Sequence, residues 1–213
     1  MKKLLLLFAS STLVLTAFSQ VNPLAYNQNK NDNSFIVENH SFGLKTGWMR
    51  TLGFGFSGFY EFSLADRWTL YNEIYLSSDT YFPFRKDFDK LPLTPGINIE
   101  PRWYFNIQKR SNKDKWTANN ASNFLSLRLN YHHRNGVMTP FHEDKVLYSG
   151  KSYEFNALLM FGMRRNLTKH IFFEGSVGLG IQYIKEEGVS FPMQENIYPS
   201  AQLDLRFGIN WAK

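Results

Sequence analysis

The sequence predicts an all-β protein, a closed up-and-down antiparallel β-barrel of eight strands. Three observations carry that prediction. The chain is rich in aromatic residues yet polar on average, it divides into segments of about ten residues that alternate apolar and polar side chains, and its connections alternate between short and long. Aromatic residues make up 17% of the 213 residues, with 20 Phe, 11 Tyr and 5 Trp, while the mean hydropathy is −0.35. Strands with one apolar and one polar face average out in this way.

The first residues read as an export signal. Lys2 and Lys3 form a basic head, an apolar run extends from Leu4 to Leu15, and Ala17, Phe18 and Ser19 give a small, any, small cleavage pattern. Residues 1–19 are thus expected to be a signal peptide, cleaved before Gln20. The apolar run falls short of the roughly 20 residues that span a bilayer as a helix, and no later segment approaches that length, so a membrane role requires strands. The chain has no Cys, which excludes a lipid on a cysteine and disulfide support. The net charge of +6 falls to +4 without Lys2 and Lys3, too mild a balance for nucleic acid. Residues 20–34, rich in Asn, read as a flexible leader. Residues 35–213 then form one barrel domain.

The strands are expected near 35–46, 50–62, 67–78, 96–109, 122–133, 153–165, 170–184 and 200–211. The first two form a hairpin if residues 46–50 make a small external loop. Gly47 is the turn former there, and the competing reading is one long strand with a bulge across 36–62. An even strand count and termini on the same side favour the hairpin. The second and third strands flank a short turn at 64–67. In the fourth, Ile97, Ile99, Trp103, Phe105 and Ile107 share one face, and Asn98, Glu100, Arg102, Tyr104 and Asn106 the other. In the fifth, Leu125, Leu127, Leu129 and Tyr131 oppose Ser126, Arg128, Asn130 and His132. The seventh sets Phe173, Val177, Leu179 and Ile181 against Glu174, Ser176, Gly178 and Gly180, and the last sets Leu203, Leu205, Phe207 and Ile209 against Asp204 and Arg206. Connections at 79–95, 134–152 and 185–199 are long and belong outside; those at 64–67, 110–121 and 166–169 are shorter and belong in the periplasm.

The inward positions collect Glu61, Glu73, Glu100, Arg102, Arg128, Arg164, Glu174, Asp204 and Arg206, five acids against four bases. An eight-stranded barrel encloses only enough room for its own side chains. These charges are expected to pair as a lumen ion network, since isolated buried charges cost several kcal/mol each, so no open diffusion pore is expected. Gly53, Gly55, Gly178 and Gly180 are expected to relieve crowding by the taper or by aromatic neighbours. A soluble barrel, turned inside out around an apolar ligand, is the competing reading. Outer stripes ending in Trp103, Tyr131, Tyr183 and Trp211 resemble interfacial girdles and favour the membrane.

The run TPGINIEPRWYFNIQKR at 94–110, a Lys-rich turn and NNASNFLSLRLNY at 119–131 resemble a family of small outer-membrane β-barrel proteins of Gram-negative bacteria, eight-stranded barrels like outer membrane proteins A and X. Tyr60 with Glu61, Asn72 with Glu73, and the runs FGMRRNL, FEGSVGLGIQY and LRFGINW extend the resemblance over most of the chain. It implies the barrel and the outer-membrane location and brings no biochemical activity with it.

No catalytic, metal or cofactor residues are assigned. His40, His132, His133, His142 and His170 are scattered without metal-ligand spacing. A lipid-modifying enzyme of this fold, acting on lipid A, is the alternative function. It would need a Ser and His pair, and Ser126 and His132 stand six residues apart, roughly 20 Å along a strand. The runs GFGFSG and GSVGLG lie inside alternating strands without a following helix, so they are not nucleotide loops. Lys109, Arg110, Lys113 and Lys115 read as a solvated turn. Tyr81, Phe82, Phe84, Phe88, Phe141, His142, Tyr148, Phe191 and Tyr198 gather in the external connections, where mixed aromatic and charged residues suit a binding surface. The expected protein is a monomeric structural or interaction protein of the outer membrane. Its expected partners are outer-membrane lipids, the barrel assembly machinery during biogenesis and an unknown surface partner, with no cofactor.

Overall fold

The computed structural model describes residues 37–49, 53–78, 93–138, 146–187 and 195–211. The signal segment and the leader lie outside the described residues. Eight strands follow in order: β1 (His40–Met49), β2 (Gly53–Ala65), β3 (Trp68–Ser78), β4 (Leu93–Trp103), β5 (Asn123–Met138), β6 (Val146–Asn166), β7 (Ile171–Glu187) and β8 (Glu195–Asn210). Each pairs antiparallel with the next, and β8 returns to β1 to close the barrel. The connection from β4 to β5 holds a short helix, α1 (Ile107–Ser111), and a 3-10 turn at Ala118–Asn120.

The first hairpin is real, with β1 paired to β2 from His40 opposite Phe62 to Met49 opposite Gly53. Its break falls after Met49, and Gly47 is not the turn former. Gly47 lies inside β1 with φ of +143°, opposite Gly55 and Arg206. A Cβ there would sit 2.3 Å from the Leu205 carbonyl oxygen, so this glycine serves the close approach of β8.

The fourth strand also differs from expectation. It ends at Trp103 instead of running to 109; Phe105 still packs against the outward Trp103 and Phe161, whereas Ile107 leaves the outer face. Ile107 is buried with Val37, Tyr104 and Phe124 beneath the barrel. Its apolar character predicts an outward position, whereas α1 turns it inward.

The long connections shrink as well. Much of 134–152 and 185–199 is strand, since β5 reaches Met138, β6 begins at Val146, β7 reaches Glu187 and β8 begins at Glu195. The strands fall into two classes: β1 to β4 have 10 to 13 residues, and β5 to β8 have 16 to 21. The shorter set matches the roughly 9 to 11 residues with which a tilted strand crosses a bilayer. Pairing of β4 with β5 runs from Trp103 opposite Leu125 to Gly96 opposite His132, and that of β1 with β8 from Gly43 opposite Asn210 to Trp48 opposite Leu205. Beyond those points β5 to β8 stand as a raised four-stranded sheet.

The stagger is steep. A ladder leaving β8 at Asn210 passes through Gly43, Phe59, Glu73, Asn98, Asn130, Asn156 and Gln182, and re-enters β8 at Tyr198, twelve residues away. Such a shear tilts the strands strongly against the barrel axis. Outward positions carry large exposed apolar side chains, Ile74, Leu159 and Leu179 among the most open, each about two thirds exposed. Aromatic pairs border this belt: Trp68 with Trp103 and Phe42 with Trp211 at the lower end, Tyr131 with Phe155 toward the raised end. Inward positions are buried and mostly polar or charged, with Phe59, Tyr71, Phe124, Leu158, Met160 and Phe172 packed among them.

Candidate functional site

The lumen is built in layers. At the lower end, the β4 to β5 connection folds under the barrel and is hydrogen-bonded to β6. Arg164 Nη1 donates to the Asn119 carbonyl at 3.1 Å, and Asn166 Nδ2 to the Ala118 carbonyl at 2.7 Å. Asn119 and Asn120 both adopt φ of +56°, a left-handed conformation that Asn tolerates better than most residues. The residues before β1 join this cap, with Glu38 N donating to Asn120 Oδ1 at 2.8 Å and Val37 N to the Asp66 carbonyl at 3.2 Å. Burial holds the Glu38 carboxyl above the ordinary carboxylate range, offset in part by a backbone hydrogen bond from Asn119. Arg110, expected in a solvated turn, instead holds the cap, its Nε donating to the Ala121 carbonyl at 2.9 Å and Nη2 to the Trp116 carbonyl at 3.3 Å. Lys109, Lys113 and Lys115 are exposed.

Above the cap lies the ion network. All nine residues expected in it point inward and none is more than 2% exposed. Glu174 is the hub. It accepts from Lys45 Nζ at 3.0 Å, Arg102 Nη1 at 3.1 Å, Arg164 Nη2 at 2.7 Å and Arg206 Nη2 at 3.2 Å. Glu73 takes Arg206 at 2.7 Å and Lys45 at 3.4 Å. Glu61 takes Arg164 at 2.8 Å, the Thr69 hydroxyl at 2.6 Å and the Tyr104 hydroxyl at 2.7 Å. Glu100 bridges Arg102, at 2.8 Å, to Arg128, which also pairs with Asp204.

Lys45 is the member that sequence reading missed. It is the fifth base, so five acids meet five bases and the network is formally neutral. Alternation along β1 carried the signal, because Phe42, Leu44 and Trp48 face outward and leave Lys45 inward. With Lys45 included, every one of the eight strands contributes a charge. Aromatic rings fill the gaps between ions. Arg102 lies between the rings of Tyr71 and Phe124, at 3.6 and 4.4 Å, and Lys45 sits over Tyr71 at 4.4 Å. Desolvated cations over ring faces gain about 2 kcal/mol.

All four expected glycines relieve close approaches, but room for the rings comes from other glycines. A Cβ at Gly162 would come within 2.2 Å of the Phe124 ring, and at Gly208 within 2.4 Å of Phe172. Gly178 and Gly180 instead face Met160 and the backbone of the neighbouring strand, and Gly53 and Gly55 the backbone of β3.

A ladder of amides lies in the upper lumen. Asn98 Nδ2 donates to Glu73 at 2.8 Å, Asn130 Nδ2 to Asn98 Oδ1 at 2.6 Å, and Asn156 Nδ2 to Asn130 Oδ1 at 3.1 Å. His132, read as an interfacial residue, is buried at this level with Nε2 3.2 Å from Glu154, which also accepts from Gln182 at 2.5 Å. His133 points outward and stacks on Tyr153. Ser126 is far from His132 in the layering, its hydroxyl donating to Glu100 at 3.3 Å. Among the described residues no three of His, Asp or Glu are grouped to hold a metal.

Of the expected external surface, Tyr81, Phe82, Phe84, Phe88, Phe141, His142 and Phe191 lie outside the described residues, as does the side chain of Tyr148. Tyr198 is in β8, not in a loop. It stands opposite Gln182 on the inner side of the raised sheet and is 46% exposed.

No family model matches the chain, and no curated protein matches it. Among solved structures, it is similar to a major outer membrane protein from Thermus thermophilus at 12% identity, over 81% of this chain and 97% of that one, with a TM-score of 0.39.

Proposed function

We propose that the chain is a bacterial outer-membrane protein whose barrel is a closed anchor and whose raised sheet and external connections are a working surface for another macromolecule. The observation that carries this reading is the neutral ten-charge network spanning the bore from all eight strands. A diffusion channel needs an aqueous path, whereas here cap, ions, rings and amides occupy the lumen in succession. Outer-membrane location is supported by the signal-like first 19 residues and by the exposed apolar belt between aromatic borders. The barrel would then be inserted by the assembly machinery, ringed by lipid and monomeric. We read it as non-enzymatic, because Ser126 and His132 occupy different layers.

The test is electrical. Purified protein reconstituted into planar bilayers is expected to give no conductance steps above the lipid baseline while retaining heat-modifiable migration on gels. Stable open-channel steps from folded protein would sink the closed-anchor reading. Release from membranes by salt alone would sink the location.

A further inference from the structure

A groove of about 520 Å³ opens on the outer face of β4 to β8. Its shape follows from the register. One row of outward side chains runs Ile97, Tyr131, Phe155, Tyr183 and Ile197, all of them large. The next row toward the lower end centres on Ala157, set between Leu129 and Ile181. Along β6 itself Ala157 lies between outward Phe155 and Leu159. One methyl group among large neighbours leaves a trough, walled by Tyr131, Phe155 and Tyr183.

We infer that this groove seats one acyl chain of a bilayer lipid in the leaflet at the raised end; the inference rests on the outer-membrane reading above. The trough is continuous with the apolar belt, so its surroundings are hydrocarbon. Its strands pair on both sides, β4 to β8, so their backbone groups are committed to ladders. A peptide lying there would have its own N–H and C=O groups stranded in hydrocarbon. A methylene chain carries none. Because bulk lipid is equally apolar, the hydrophobic term cancels and preference for the groove comes from dispersion contacts with the ring and aliphatic walls. Retention of about threefold over a filled groove is the scale to expect from such contacts.

The experiment uses the mature chain in phosphatidylethanolamine nanodiscs, with lipid retained per barrel counted by native mass spectrometry. Ala157→Phe fills the trough on the lipid-facing side, and Ala157→Leu is a smaller filling should the first variant fold poorly. Leu159→Phe, the next outward position on β6, is the control. The expected result is about threefold less retained lipid in both Ala157 variants, with the control like the wild type. Equal retention in all four proteins overturns the inference, as does equal loss in the control. A wild-type dimer split by Ala157→Phe would assign the groove to a second copy and overturn it as well. Protein that fails to enter nanodiscs and stays in aqueous buffer sinks the membrane reading itself, whereas inserted protein with unaltered lipid retention sinks only the groove.

Discussion

The lower barrel and the raised sheet are made of the same strands and obey different physics. Below the seams at Trp48 and Gly96, each strand separates two unlike surroundings, an apolar belt outside and a charged lumen inside. Above them β5 to β8 continue as a sheet whose pairing persists, from Asn135 opposite Lys151 toward Met138 opposite Val146, with register shifts on the way. The lower half is held by ions that no single strand satisfies. The raised half rests on backbone ladders and on outward ring contacts such as His133 on Tyr153. Cooperativity carried by charge therefore belongs to the closed part, while the raised sheet is a local structure resting on it.

The comparison breaks most clearly at its hub. Glu174→Gln leaves Lys45, Arg102, Arg164 and Arg206 facing one neutral amide, and breaking a buried ion cluster by removing one partner costs about 3 to 5 kcal/mol. Urea unfolding in detergent micelles should show that loss; an unchanged midpoint would mean the ions do not couple the strands. A smaller effect is expected from Gly162→Val, which drives a side chain into the Phe124 ring that backs Arg102. Overpacking of this kind costs about 1 to 3 kcal/mol, and the same unfolding curve measures it, with no change disproving the packed contact. The smallest effect belongs to the raised sheet. Deleting 136–150 and joining Asn135 to Lys151 through a two-residue Asn-Gly turn should cost less than about 1 kcal/mol. A larger loss would show that the raised sheet supports the barrel instead of resting on it.

Legibility in the sequence follows the same division. The strand count, the closed topology and nine members of the ion network were readable because alternation with period two is imposed wherever an apolar outer face and a polar lumen lie on opposite sides of a strand. Where β5 to β8 leave that setting, as at Arg134 to Met138 and Val146 to Lys151, alternation stops and the segments read as loops although they are strands. Lys45 carries its signal only through its neighbours, since outward Phe42, Leu44 and Trp48 leave it inward. His132 and Glu154 gave no signal as a pair, being 22 positions apart on different strands.

What the sequence by itself determined is the barrel's alternation, its polar interior and its even strand count, because those depend on each strand's own two faces. The tertiary structure alone decided that Glu174 is the hub, that the network balances through Lys45, that 104–121 folds into a cap, and that a trough forms at Ala157. Each depends on which residues of different strands come level, and that is set by the stagger that returns the ladder to β8 twelve residues from its start. Shear is a property of the closed sheet, not of any segment.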